Sequence, residues 1–171
     1  MGAKNAKAGP DIARMRELVS YDQETGLFTW LVWRPNGVKV GHVAGRLNKF
    51  GYRVISLDGR SYFAHRLAWL WMTGLWPVDE IDHSNAIKDD NRWINLRAAT
   101  ASQNAGNRRA YANNTSGLKG VSWVVSRRKF IASIGLNGKR KNLGRFDCPA
   151  AAHFAYIVAA DKHFGEFSRG A

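Results

Sequence analysis

The chain has 171 residues, with 26 Lys+Arg against 13 Asp+Glu, a net charge of +13 at pH 7 and a pI near 10.4. That length holds one ordinary domain or two small ones, and the charge suits a polyanionic partner without naming it. One cysteine, Cys148, excludes an internal disulfide framework or a cysteine zinc cluster and fits a reducing cytoplasm, and the longest apolar stretch, around Leu67–Leu70, is far too short to span a bilayer.

Residues 1–10 read as a disordered basic tail, rich in small residues and lysine and lacking the apolar core of a secretory signal. Asp11 to Val19 carries Ile12, Met15, Leu18 and Val19 at helical spacing, with Asp11 as N-cap. Strand-like pieces follow at Gly26–Val32, Gly41–Leu47 and Tyr52–Leu57. Leu57-Asp58-Gly59-Arg60 signals a hairpin, because Asp-Gly accepts the positive φ of a tight primed turn, and Ser61–His65 is the return strand. Residues 65–73 are apolar and aromatic with Leu67, Leu70 and Trp71 on one face, which predicts a buried helix stopped by Gly74.

Glu80–His83 is short and β-like, 84–93 is a polar loop, and Asn95–Ala99 is a second short strand. Thr100 or Ser102 caps a helix running through Asn104 to about Tyr111. Ala112–Gly117 is a polar, turn-forming joint and the expected domain boundary. Beyond it come strands at Val121–Val125, Lys129–Leu136 and Lys141–Phe146, with Asn137-Gly138 as a hairpin turn, and then a helix opened by Pro149 over Ala150–Lys162. From Asn107 onward there are 12 basic and 3 acidic residues, against 14 and 10 before it, so the last third is the more strongly basic. The pattern predicts an α+β fold divided as 1–10, 11–50, 51–111, a 112–117 linker and 118–171.

The chemistry concentrates in Asp82-His83, Asn91-Arg92, Asn95-Leu96-Arg97 and Asn104. An acid beside a histidine, followed by spaced asparagines, supplies an oxygen ligand for a hard cation, an imidazole to take a proton from water and amides to pin the loop between them. Read as residues alone, Asp82-His83 is equally a surface pair, Asp89-Asp90 a solvated acidic loop, His65 a structural histidine or an auxiliary phosphate contact, and Arg97 a phosphate clamp or a solvent-facing cation. His42, His153 and His163 have no neighbours that suggest chemistry.

The run Ala64-His65-Arg66-Leu67-Ala68-Trp69, then Ile81-Asp82-His83, then Asn91-Arg92-Trp93-Ile94-Asn95-Leu96-Arg97, then Asn104, resembles the HNH endonuclease family over about residues 50–110. It is closest to the branch of phage and intron-encoded homing enzymes. That resemblance implies a ββα unit around one divalent metal. It implies His83 as general base, Asp82 and Asn104 as metal ligands, and Asn95 as the amide that ties the loop and orients the histidine. Asn104 stands where the family often has histidine, which favours Mg²⁺ or Mn²⁺ over zinc. Adjacent residues on a regular strand point to opposite faces, so Asp82 and His83 serve one site only where the chain leaves β geometry.

Gly117-Leu118-Lys119-Gly120-Val121-Ser122-Trp123, Lys129-Phe130-Ile131-Ala132, Lys139-Arg140-Lys141-Asn142-Leu143-Gly144-Arg145-Phe146-Asp147 and Ala150–Tyr156 resemble the Apetala/ethylene-response-factor DNA-binding domain over about residues 115–168. That resemblance implies a three-stranded sheet laid in the major groove and backed by a helix. Lys119, Arg140 and Asn142 fall at contacting positions. Trp123, Arg127, Arg128, Lys129, Lys141 and Arg145 are their neighbours, and Tyr156 falls where the helix reaches a phosphate.

The expectation is thus a Mg²⁺-dependent enzyme that hydrolyses phosphodiester bonds of double-stranded DNA, homing-type, with one active site per chain. It would be a monomer or weak homodimer working in a host-cell cytoplasm if phage-encoded, with Arg97 among the DNA contacts and no membrane partner. The rivals are a non-catalytic DNA-binding regulator on the same scaffold and an RNA-binding protein.

Overall fold

A computed structural model describes residues 9–35, 37–108, 114 and 116–168, and divides the chain into two compact units, Met1–Ala98 and Ala99–Ala171. Residues 1–8 of the expected 1–10 tail and half of the expected 112–117 joint lie outside the described residues.

In the first unit, helix α1 (Ile12–Leu18) is capped by Asp11, whose Oδ1 accepts from the N–H groups of Ala13 and Arg14. Met15 and Leu18 are its buried residues. Val19 does not continue the helix. It turns extended, pairs with Trp30 and opens strand β1 (Val19–Asp22), antiparallel to β2 (Leu27–Trp30). The helical spacing of Val19 had hidden this strand, because one β-branched residue fits either pattern.

The strand expected over 41–47 survives only as β3 (Arg46–Leu47). Gly41 and Gly45 both sit at φ +86°, which breaks the extended run, while Val43 and Ala44 still reach β2 through single backbone bridges. β3 pairs with β4 (Arg53–Leu57), and β4 with β5 (Arg60–Phe63). The β4–β5 turn has Asp58 at φ 45° and Gly59 at φ 78°, the left-handed pair its sequence predicts.

Helix α2 (Ala64–Thr73) buries Ala64, His65, Leu67, Ala68 and Leu70 and ends on Gly74 at φ 75°, whose N–H closes onto the Leu70 carbonyl. β6 (Glu80–His83) pairs with β7 (Leu96–Ala99), and a 3₁₀ turn over Trp93–Asn95 leads into β7. The unit's core gathers Met15, Leu18, Phe28, Trp30, Ile55, Leu57, Leu67, Leu70, Ile81 and Leu96. Burial of each large side chain there stabilises by roughly 1.5–3 kcal/mol.

In the second unit, Thr100 and Gln103 form a reciprocal capping box on helix α3 (Ala101–Asn107). Strands β8 (Val121–Val124), β9 (Lys129–Leu136) and β10 (Lys139–Phe146) make an antiparallel sheet of order β10-β9-β8, backed by helix α4 (Pro149–Phe164). Ala152, Tyr156, Ala160 and Phe164 recur every four residues along α4 and supply its buried face. α3 sits close against α4: a Cβ on Gly106 would lie 2.7 Å from the Phe164 ring. That contact groups α3 with the C-terminal elements.

The α+β class, the antiparallel sheets and the C-terminal sheet on one helix agree with the sequence expectation. Among the described residues no helix is long and apolar enough to cross a membrane.

Candidate functional site

β6 delivers Asp82 and His83, each 4% exposed, as the last two residues of a strand. Their side chains meet different partners, as strand alternation requires. Asp82 Oδ2 accepts from Nε of Arg97 (3.0 Å), which stands on the paired strand β7, and Nη2 of the same guanidinium lies 2.9 Å from that oxygen. His83 meets Asn91: its Nε2 lies 3.2 Å from Asn91 Oδ1.

The Asn91 amide has one orientation that satisfies both its ends. Its Nδ2 donates to the Asp89 carbonyl at 3.1 Å, so Oδ1 faces the imidazole as an acceptor. Nε2 of His83 therefore carries the hydrogen, and Nδ1 is the nitrogen with the lone pair. Burial pushes the His83 pKa below its ordinary 6.5, opposed by the Asn91 hydrogen bond and the charges of Asp82, Asp90 and Asp89. The ring is a neutral base oriented by Asn91 at Nε2.

Aromatic rings wall this histidine. His65, the second residue of α2, approaches edge-on with centroids 5.0 Å apart, and Tyr52 lies at 6.1 Å. His65 stacks on Phe63, is 7% exposed and has no hydrogen-bond partner for Nδ1. Burial, then the neighbouring His83 and Arg66, bring its pKa down to about 3, so it too is neutral.

The loop between β6 and β7 is fastened by amides. Asn95, 5% exposed, accepts at Oδ1 from Ser84 Oγ (2.8 Å) and the Asn85 N–H (3.0 Å), and its Nδ2 donates to the Asp90 carbonyl (2.7 Å). Asn85 Nδ2 reaches Asp90 Oδ2 at 2.6 Å. Arg92 grips the same carboxylate and is the main cause of its pKa falling to about 2, helped by Asn85. From outside the loop, Arg53 makes a two-point contact with Asp89, both bonds 2.9 Å, and the Tyr21 hydroxyl donates to the Asn91 carbonyl at 2.7 Å. Gly26 (φ +73°) lies so close beneath that a Cβ would be 2.3 Å from the Arg92 nitrogen.

The sequence-derived site residues are divided between the two units. Asp82, His83, Asn95 and Arg97 are together in the first unit, with Arg97 engaged by Asp82. Asn104 is on α3 of the second unit, where its N–H donates to the Thr100 carbonyl. Sequence reasoning counted Asn91 only among the amides that pin the loop and gave the orienting of the histidine to Asn95, whereas Asn91 is the side chain that meets His83. Its place in the motif was the available signal, but which of two asparagines in one loop reaches the ring is decided by loop closure. Among the described residues no three His, Cys, Asp or Glu side chains form a metal cluster. Asp82 is the hard-oxygen donor next to His83 in the chain and the kind of ligand Mg²⁺ or Mn²⁺ takes, with its charge balanced by the Arg97 guanidinium.

The register of the second sheet sorts the basic candidates. Val121↔Ala132 and Trp123↔Phe130 are paired, and Ala132 and Phe130 belong to the apolar cluster under α4, so Trp123 lies on the helix side, packed on Phe130 at 4.7 Å. Tyr156 is buried at 4%, with its hydroxyl pushed up to about 12 by burial, and Gly120 packs on its ring. Lys119 donates to the Gly106 carbonyl at 2.5 Å over that ring, and His153 Nδ1 lies 3.0 Å from the Lys119 carbonyl oxygen.

The opposite sheet face carries Lys129, Arg140, Asn142 and Arg145, paired with Val124, Gly135, Ser133 and Ile131. Arg140 Nε donates to Ser133 Oγ (2.8 Å). Asn142 Oδ1 accepts from the Gly144 N–H (2.9 Å) and shapes the bulge that interrupts β10. Lys129 pairs with Asp147. Arg127 and Arg128 are exposed in the β8–β9 turn, with Arg128 at φ 49°.

Residues 62–106, from β5 through α3, match the family described as HNH endonuclease. The chain is 29% identical over 103 residues to Protein 3.8 of Escherichia phage T7, covering 58% of this chain and 84% of that protein. No solved structure matches. The family match suggests a nuclease or DNA-binding function, and it ends ahead of the C-terminal sheet.

Proposed function

We propose that this protein is a metal-dependent endonuclease of duplex DNA, of homing type. The observation that carries the reading is the buried, neutral His83, held at Nε2 by Asn91 and leaving Nδ1 as the basic nitrogen, next in the chain to the Asp82 carboxylate.

In that reading His83 Nδ1 takes a proton from water, and the hydroxide attacks phosphorus as the P–O bond to the leaving oxygen breaks, that oxygen taking a proton from solvent. Asn91 fixes the tautomer and the ring plane. Asn95 keeps the loop that carries Asn91 closed onto β6. Burial keeps His83 unprotonated at neutral pH, so the base is competent without a prior ionisation. Asp82 is the residue of this unit that would hold Mg²⁺ or Mn²⁺, and the ion when bound would neutralise charge on the scissile phosphate and the leaving oxygen.

The outer face of the C-terminal sheet supports duplex binding. Arg140, Asn142, Arg145 and Lys129 share it, with Arg127 and Arg128 at its end, and an antiparallel ribbon of this width fits the major groove. Trp123, Tyr156 and Lys119 serve the packing between sheet and helix in this reading.

A non-catalytic DNA-binding role is favoured by one observation, the ion pair that Arg97 makes with Asp82 Oδ2. Supercoiled plasmid with Mg²⁺ separates the two. Nicking by the parent chain and none by His83→Ala supports the enzyme; equal inertness of both supports the binder.

A further inference from the structure

We propose that Arg97 is a built-in counter-cation for Asp82 with which a divalent ion must compete, so that metal loading of this site is held in check by the protein itself. The proposal rests on the metal-dependent reading above.

A carboxylate at 4% exposure requires a positive neighbour. Arg97 supplies it from the adjacent strand: its Nε donates to Oδ2 at 3.0 Å, and its Nη2 lies 2.9 Å from the same oxygen. The Arg97 side chain keeps 20% of its surface exposed while that of Asp82 keeps 5%. The cation is therefore the partner with a route toward solvent, and the anion is the fixed one.

A divalent ion and a guanidinium competing for one carboxylate oxygen are mutually exclusive on that oxygen. The ion meets a carboxylate whose charge is already balanced instead of an unpartnered anion. Without metal, Arg97 satisfies Asp82 and keeps β6 and β7 stitched at the end that carries His83.

The test is Mn²⁺ binding to the full chain, followed by titration calorimetry and by loss of the free-ion paramagnetic resonance signal, for the parent, Arg97→Ala and Arg97→Gln. Removal of the competing charge is expected to tighten Mn²⁺ binding by about tenfold in Arg97→Ala, with Arg97→Gln also tighter than the parent. Arg97→Ala that folds only with Mn²⁺ present is the extreme form of the same result, and Arg97→Gln then carries the comparison. Equal or weaker binding by both variants overturns the proposal and leaves the metal site standing. Absence of Mn²⁺ binding in all three chains overturns the metal-dependent reading and this inference together.

Discussion

Asn95→Ala measures how firmly the loop behind the histidine is tied. The substitution removes three hydrogen bonds, from Ser84 Oγ, from the Asn85 N–H and to the Asp90 carbonyl, all at a residue 5% exposed. At about 1 kcal/mol net for each, the loss is about 3 kcal/mol, a large share of a domain's stability. Urea unfolding followed by tryptophan fluorescence reads it, because six of the seven tryptophans, all but Trp123, lie in the first unit. Asn95→Asp sharpens the test. The new carboxylate keeps both acceptor roles but sets an anion against the Asp90 carbonyl, so it is as damaging as alanine at pH 7. On acidification its protonated form regains a donor, and the deficit relative to the parent shrinks. Plasmid nicking by Asn95→Ala falls on the order of a hundredfold, as a displaced catalytic group requires. A stability change below about 1 kcal/mol, or a pH-independent deficit in Asn95→Asp, would refute the reasoning.

His65 is held near pKa 3, whereas the unfolded chain takes up that proton near 6.5. The unfolded state therefore gains protons first on acidification. Stability is complete above about pH 6.5 and drains away toward pH 3, by an amount on the order of a few kcal/mol. His65→Phe is expected to flatten this slope, read as the urea midpoint at pH 7 against pH 4, and an unchanged slope counts against it. Gly26→Ala combines a left-handed φ with a Cβ 2.3 Å from the Arg92 nitrogen and is expected to cost more than about 2 kcal/mol; a cost under about 0.5 kcal/mol contradicts the close approach. Arg140→Ala and Arg145→Ala are each expected to weaken duplex binding and lower the slope of log affinity against log salt by about one, with Tyr156→Phe unchanged; unaltered slopes in the arginine variants remove the outer sheet face from the interface.

Much of the architecture is local and can be read from the chain. Asp58-Gly59 and Asn137-Gly138 each form the left-handed turn their residue types demand, Gly74 ends α2, and Thr100 caps α3. What fails is also physical. Gly41 and Gly45 look like tolerated glycines in a strand until their positive φ angles interrupt it, and Val19 fits a helix face as well as a strand. At the site, the residue types near β6 are visible in the sequence, but their pairing is not. Asn91, not Asn95, touches His83, and Arg97 meets Asp82, because both contacts depend on how a twelve-residue excursion folds back between paired strands. The division of basic residues between the two sheet faces likewise needs the register, which the β10 bulge shifts partway along.

The fastening of the 84–95 loop is largely uncharged at its centre: amide to hydroxyl, amide to carbonyl, amide to imidazole. Dissolved ions screen monopoles and leave buried dipoles almost untouched. Raising the electrolyte concentration should thus strip the protein from its polyanion while the geometry around the base stays intact. Turnover on saturating substrate would then hold steady across ionic strengths at which capture of dilute substrate collapses.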